Sequence, residues 1–242
     1  MIVLVDIGNS RSKFTQVIDD VICNALVLDN HQPDEDKISN YISEATQVLI
    51  SSVKNTIINQ ALMKSAKTLG IKHLSIETPK TAFGLTSAYK QPEMMGVDRW
   101  LALVGASTLF PKQNVLVVDS GTATTIDVLT KSGQHMGGWI LPGVELMHDS
   151  LLTKTDKVRT ETTNTQASVS FGKNTTECVN NACWAVLAGA INYALQNCTR
   201  DNMDIDQIVI TGGNAASVKP LLDIDVHLVK DLIFYGMLQY RD

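Results

Sequence analysis

Asp6 and Asp119 each follow an apolar run and each open an Asp-x-Gly turn. The two segments are Ile2-Val3-Leu4-Val5-Asp6-Ile7-Gly8-Asn9-Ser10 and Val115-Leu116-Val117-Val118-Asp119-Ser120-Gly121-Thr122-Ala123. A buried strand that ends in aspartate brings a carboxylate to the edge of a sheet, where it can hold a hydrated cation. The glycine admits positive φ and lets the backbone come close to a phosphate. The N–H and hydroxyl groups of the turn can then donate to phosphate oxygens. One Asp-x-Gly is a common tight turn. Its repetition after the same kind of strand points to a duplicated unit able to grip a triphosphate from both sides. Neither the P-loop pattern nor Gly-x-Gly-x-x-Gly occurs, which excludes the usual glycine-rich phosphate loops.

The elements that must carry these turns follow from periodicity. Residues 2–5 read as a buried strand, with 13–18 and 21–28 as hairpin partners around Asp19-Asp20. A helix over 34–45, a strand over 47–53, a helix over 55–69 stopped by Gly70 and a strand over 72–77 come next. Residues 81–96, polar and interrupted by Pro92, read as a surface loop of the kind that carries function. Helical periodicity returns over 97–109. The pattern then restarts with strands over 115–118, 122–129 and 134–141, turning at Gly133 and at Pro142-Gly143. Residues 154–165, rich in threonine and charge, read as mobile. A long helix over 175–197 precedes a strand over 207–210 that ends in Thr211-Gly212-Gly213. A helix, a strand over 226–229 and a helix over 232–240 finish the chain. This order predicts an α/β layered architecture with domains at 1–111 and 112–242, the last helix being free to pack back on the first.

Composition narrows the classes. Hydrophobic residues make up 44% and charged residues 19% of the 242, as in an ordinary globular chain. The aromatic share of 5% leaves little for base-stacking platforms. A net charge of -5 without a Lys/Arg cluster argues against a nucleic-acid partner, yet leaves room for an anionic nucleotide at a locally positive site. Cys23, Cys178, Cys183 and Cys198 form no Cys-x-x-Cys pair. The last three lie in an apolar, helix-like stretch and read as buried reduced thiols. The apolar run before Asp6 is too short for a signal peptide or a membrane span, so a cytoplasmic protein without a membrane partner is expected.

The duplicated plan resembles the acetate and sugar kinase, heat-shock chaperone and actin superfamily. That resemblance implies two ribonuclease-H-like domains with ATP in the cleft between them, and Gly212 and Gly213 near the adenosine. Further segments sharpen it. Gly96-Val97-Asp98-Arg99, Asp119-Ser120-Gly121-Thr122-Ala123-Thr124-Thr125 and Gly137-Gly138-Trp139-Ile140-Leu141-Pro142-Gly143 follow the first turn in that order. Together they look like type III pantothenate kinase, which performs the first step of coenzyme A synthesis, with weaker agreement at Asn164-Thr165 and over 231–236.

Carried over by position, the resemblance implies that Asp6, Gly8, Asn9, Ser10 and Lys13 bind ATP phosphates, with Mg²⁺ at Asp6. Gly121 and Thr122 would touch ATP, and Asp119 would hold a monovalent cation, typically potassium. Asp98 would accept the proton of the pantothenate hydroxyl, while Tyr89, Gly96, Val97, Arg99 and Thr165 hold the substrate. A homodimer is implied too. The residue chemistry agrees, since phosphoryl transfer needs alignment and charge neutralisation, and an arginine fork suits a carboxylate. Each residue also has a plainer reading. Asp98-Arg99 fits a helix-start carboxylate and a surface arginine, Tyr89 a loop anchor, Lys13 an exposed strand face and Thr165 a solvated loop. Trp139 reads as core or interface. The segment 142–165 is shorter than in many members, which bears on the pocket wall near Thr165. Two rivals stand beside the kinase: a sugar or polyphosphate enzyme of the same superfamily, and a transcriptional accessory protein. Tyr89, Asp98, Arg99 and Thr165 speak against the first, and the missing basic patch against the second.

Overall fold

The computed structural model describes residues 1–8, 11–52, 56–154 and 166–242. The expectations at Asn9, Ser10 and Thr165, and most of the 154–165 segment, lie outside the described residues. The chain divides into two units, Met1–Thr108 with Leu232–Asp242, and Leu109–Asp231. The sequence places the boundary near 111 and leaves the last helix free to pack back on the first domain, and 232–242 here belong to the first unit.

The first unit is built on β1 (Ile2–Ile7), β2 (Arg11–Ile18), β3 (Val21–Asp29), β4 (Gln47–Ser52) and β5 (Lys72–Ser75), in the order β3-β2-β1-β4-β5. β1 runs antiparallel to β2 and parallel to β4. Its continuous apolar run has a physical cause: Val3, Leu4, Val5 and Ile7 are all fully buried, as in a strand covered on both faces. Helices α1 (Glu35–Ile42) and α2 (Ile57–Thr68) pack on one face through Ile38, Ile42, Ile58 and Leu62. Asp34 and Thr56 cap them by accepting from the N–H groups of Lys37 and Asn59. Gly70, at φ +66°, ends α2 in the left-handed conformation.

Residues 81–96 are more ordered than a plain surface loop. β6 (Thr81–Ala82) and β7 (Leu85–Thr86) form a hairpin whose tip, Phe83 and Gly84, takes positive φ at both positions. That is the turn geometry that suits the twist of paired strands. Leu85, Ser87 and Met95 are buried, so the segment is anchored from inside. It leads into α3 (Val97–Leu109), whose Trp100, Leu101 and Leu103 are fully buried.

The second unit repeats the plan with β8 (Val115–Ser120), β9 (Ala123–Leu129), β10 (His135–Pro142), β11 (Gln207–Thr211) and β12 (His227–Leu228), in the order β10-β9-β8-β11-β12. The pairings match as well, β8 being antiparallel to β9 and parallel to β11. Both units thus have the ribonuclease-H-like arrangement. α5 (Thr175–Arg200) supplies Cys183, Trp184, Leu187 and Ile191 to the core against Leu116, Val118, Ile126 and Ile210. α4 (Val144–Lys154), directly after Pro142-Gly143, was not anticipated, because its polar content masks the helical period. Cys183 and Cys198 are buried, and burial pushes both thiols up. Cys178, expected to be buried with them, is exposed because it lies off the buried face of α5, which already begins at Val179 and Asn180.

Candidate active site

In the first unit, Asp6 lies opposite Lys13 across β1 and β2, and opposite Ser51 across β1 and β4. Directly opposed strand residues bring their Cβ atoms to about 5 Å, so a carboxylate and an ammonium share the sheet edge where the first turn leaves it. The Ser51 hydroxyl donates to Asp6 Oδ1 at 3.2 Å. The turn itself is closed by the Gly8 N–H donating to Arg11 O at 3.1 Å. A buried pair that sequence reading missed braces it from outside. The Ser12 hydroxyl donates to Asn30 Oδ1 at 2.5 Å, and Asn30 Nδ2 donates to Gly8 O at 2.8 Å. Asn30 sits just past the end of β3, so only the pairing of β2 with β3 makes it a neighbour of Gly8.

The second turn is not a strict copy of the first. Ile7 pairs with Ser12, whereas Ser120 pairs with Thr124, so the second turn is one residue shorter. The residue opposite Asp119 is therefore the neutral Thr125, where Asp6 faces Lys13. β11 ends with Thr211 opposite Asp119, which delivers Gly212 to that carboxylate. At Gly212 φ is +91°, and an added Cβ would lie 2.5 Å from Asp119 Oδ1 and 2.5 Å from Ser120 O. Gly143 packs as closely on the second turn, a Cβ there falling 2.2 Å from Gly121 O and 2.5 Å from Thr122 O. Gly213 has open space around its Cα. Among the described residues the buried hydroxyls of Ser120 and Thr124 have no hydrogen-bond partner.

Back in the first unit, Gly96, Val97, Asp98, Arg99 and Tyr89 come together at the start of α3. Asp98 Oδ1 accepts from the Arg99 N–H at 2.8 Å. The carboxylate folds over Gly96, where a Cβ would meet Oδ1 at 2.4 Å. Asp98 Oδ2 makes no hydrogen bond among the described residues. Arg99 is 5% exposed. Its Nη1 donates to the Tyr89 hydroxyl at 2.8 Å, and its guanidinium lies 5.7 Å from the centre of the Tyr89 ring. The surface arginine and the bare loop anchor of the plainer reading do not describe this pair. A cavity of about 450 Å³ has Gly96 and Val97 in its walls together with Glu77, Thr78, Glu93 and Met95, but Tyr89, Asp98 and Arg99 do not line it. Val97 is itself 7% exposed.

Among the described residues no cluster of three or more His, Cys, Asp or Glu side chains forms a ready cage for a metal. Mg²⁺ at a phosphate site needs none, because it keeps several waters and binds through one or two carboxylates and the phosphates themselves. Asp6, a single carboxylate near a strand end, fits such a role, and Asp119 offers a second carboxylate for a monovalent cation.

Comparison with known proteins identifies the family. The family model described as type III pantothenate kinase matches residues 2–197. The type III pantothenate kinase of Colwellia psychrerythraea strain 34H is 35% identical over 250 residues, covering 99% of this chain and 100% of that one. A Campylobacter jejuni crystal structure, provisionally described as a Baf family transcriptional activator, superposes with a TM-score of 0.61 at 24% identity, covering 98% of this chain and 96% of that one. A Sinorhizobium meliloti structure, provisionally described as a 2-dehydro-3-deoxygalactonokinase, gives 0.58 at 12% identity, covering 99% and 97%. Those two likenesses establish the fold, and no more than the fold.

Proposed function

The chain belongs to the type III pantothenate kinase family, and from that premise we propose that it transfers the γ-phosphoryl group of ATP to the primary hydroxyl of pantothenate, giving 4′-phosphopantothenate and ADP. The observation that carries the reading at the site is the trio of Asp98, Arg99 and Tyr89, where an open carboxylate oxygen on Asp98 adjoins the buried Arg99 and the half-buried Tyr89 it bonds.

In this reaction Asp98 Oδ2 takes the hydroxyl proton as the oxygen attacks the γ-phosphorus, and Oδ1 stays held by the Arg99 N–H. Arg99 and Tyr89 hold the pantothenate carboxylate, the guanidinium offering donors in a planar fork. Gly96 and Val97 contribute wall and backbone, and Thr165 a further contact. Lys13, Asn9, Ser10 and the Gly8 backbone bind the ATP phosphates, and Gly121, Thr122, Gly212 and Gly213 also bind the nucleotide. Asp6 is the ligand for Mg²⁺ and Asp119 the ligand for a monovalent cation. Bound there, the two ions offset the negative charge of the phosphates and of the three aspartates. The neutral Thr125 opposite Asp119, where Asp6 has Lys13, supports the cation role for Asp119. The protein acts as a cytoplasmic homodimer, and Val186 and Tyr193, exposed on α5, support a second copy as the partner. The transcriptional reading rests on likeness of fold alone.

Purified protein assayed for ADP release is expected to require pantothenate and to run faster in potassium than in sodium. No pantothenate-dependent release would overturn the function, and equal rates in the two salts would overturn the cation role of Asp119. Asp98→Asn is expected to lower kcat by about 10²–10⁴-fold with the KM for pantothenate little changed, the range a positioned general base contributes. Turnover at the wild-type rate would remove Asp98 from that role.

A further inference from the structure

The Arg99 guanidinium finds the Tyr89 hydroxyl because the Tyr89 backbone is held from the other side. Lys80 stands at the base of the β6–β7 hairpin, which is closed by the Ser87 N–H donating to Lys80 O at 2.9 Å. From there the Lys80 ammonium donates to two backbone carbonyls on the outgoing strand, Ser87 O at 2.7 Å and Tyr89 O at 2.9 Å. Both carbonyls face the one ammonium across a bend at Ala88, so the cation bridges this pair only while residues 87–89 keep that bend. Ser87 is fully buried; its hydroxyl accepts from the Tyr89 N–H at 3.2 Å and donates to the Met95 sulfur at 3.6 Å. The Thr78 hydroxyl donates to Met95 O at 2.9 Å, just ahead of Gly96. Tyr89 is thus fixed at its nitrogen by Ser87, at its carbonyl by Lys80 and at its phenol by Arg99.

We propose that Lys80 is a positioning residue for the acceptor substrate. By bridging Ser87 O and Tyr89 O it sets where the phenol meets Arg99, and so the geometry of the clamp for the substrate carboxylate. The inference rests on the reading of Tyr89 and Arg99 as the substrate-holding pair. Lys80 is not itself a catalytic residue, since it acts only through Tyr89. Its charge-assisted bonds to carbonyls are of the stronger kind, and none of its hydrogen-bond partners among the described residues is a carboxylate.

Lys80→Met keeps the side-chain stem and removes the donor, while Lys80→Arg keeps a cation that can reach both carbonyls. Lys80→Met is expected to raise the KM for pantothenate about tenfold, the effect of losing one hydrogen bond to a charged group. The KM for ATP and kcat should stay within about twofold, the pattern of lost uniform binding of one substrate. Lys80→Arg should return the pantothenate KM to within about threefold of wild type. Hydrogen exchange of the amides in 81–89 should quicken about tenfold in Lys80→Met, because that stretch opens locally once the bridge is gone. Unchanged exchange would overturn the proposal, and so would faster exchange with an unchanged pantothenate KM. A joint fall in kcat and both affinities would also overturn it, as general loosening. Tyr89→Phe, measured alongside, separates the two ideas. If it too leaves the pantothenate KM unaltered, the substrate-holding pair has failed as a reading in its own right.

Discussion

Gly212 and Asp98 depend on neighbours that are distant in the chain in one case and adjacent in the other. At Gly212 the backbone has φ +91°, and a methyl group would stand 2.5 Å from Asp119 Oδ1. Alanine in the left-handed region costs roughly 1–2 kcal/mol before any clash. Gly212→Ala is therefore expected to lower the melting temperature by roughly 4–8 °C and to weaken ATP, both read from one calorimetric titration series. A variant with unaltered stability would show that Asp119 can swing aside. Asp98 is held by its own next residue through the Arg99 N–H, so its arrangement was legible in Gly96-Val97-Asp98-Arg99. The Asn30–Gly8 bond was not legible, because residues 22 apart meet only through strand pairing.

Two helices of the first unit meet backbone to backbone. α6 (Leu232–Met237) lies against α3, and a Cβ at Gly236 would fall 2.0 Å from Leu101 O, while one at Gly105 would fall 2.3 Å from Leu232 O. Small residues at a crossing let helix axes approach closely, and a methyl inserted there is overpacking. Gly236→Ala is expected to destabilise the first unit by about 1–3 kcal/mol, seen as a shift of its denaturation midpoint, with the second unit's transition unmoved. An unchanged midpoint would mean that the contact relaxes freely. The helices themselves were readable from apolar periodicity, and so was the long α5. The hairpin inside 81–96 was hidden, since its strands are two residues each and its anchors, Leu85 and Ser87, are single positions rather than a pattern.

Residues 232–242 return to the first unit although they follow the second in the chain. Leu232, Phe234 and Met237 are fully buried there, Trp100 Nε1 donates to the Tyr240 hydroxyl at 2.9 Å, and Phe83 meets the Tyr240 ring edge-on at 4.7 Å. Burying three such side chains contributes roughly 1.5–3 kcal/mol each, a sum comparable with the whole stability of a typical domain. A chain ending at Asp231 is thus expected to lose the cooperative unfolding transition of the first unit, checked by calorimetry against the intact protein; a retained transition would show the segment to be dispensable. By itself, the sequence determined the duplicated strand-and-turn plan, the hairpin partners of β1 and the family, because these rest on local periodicity and on short motifs whose residues are neighbours. Tertiary structure alone decided three things: that the last helix serves the first unit, that Thr125 rather than a lysine faces Asp119, and that Lys80 and Arg99 hold Tyr89 from two sides. Each depends on a register or a crossing between segments far apart in the chain, and side-chain type carries no record of such pairings. The two Asp-x-Gly turns were alike in sequence, and one residue of register makes them different sites.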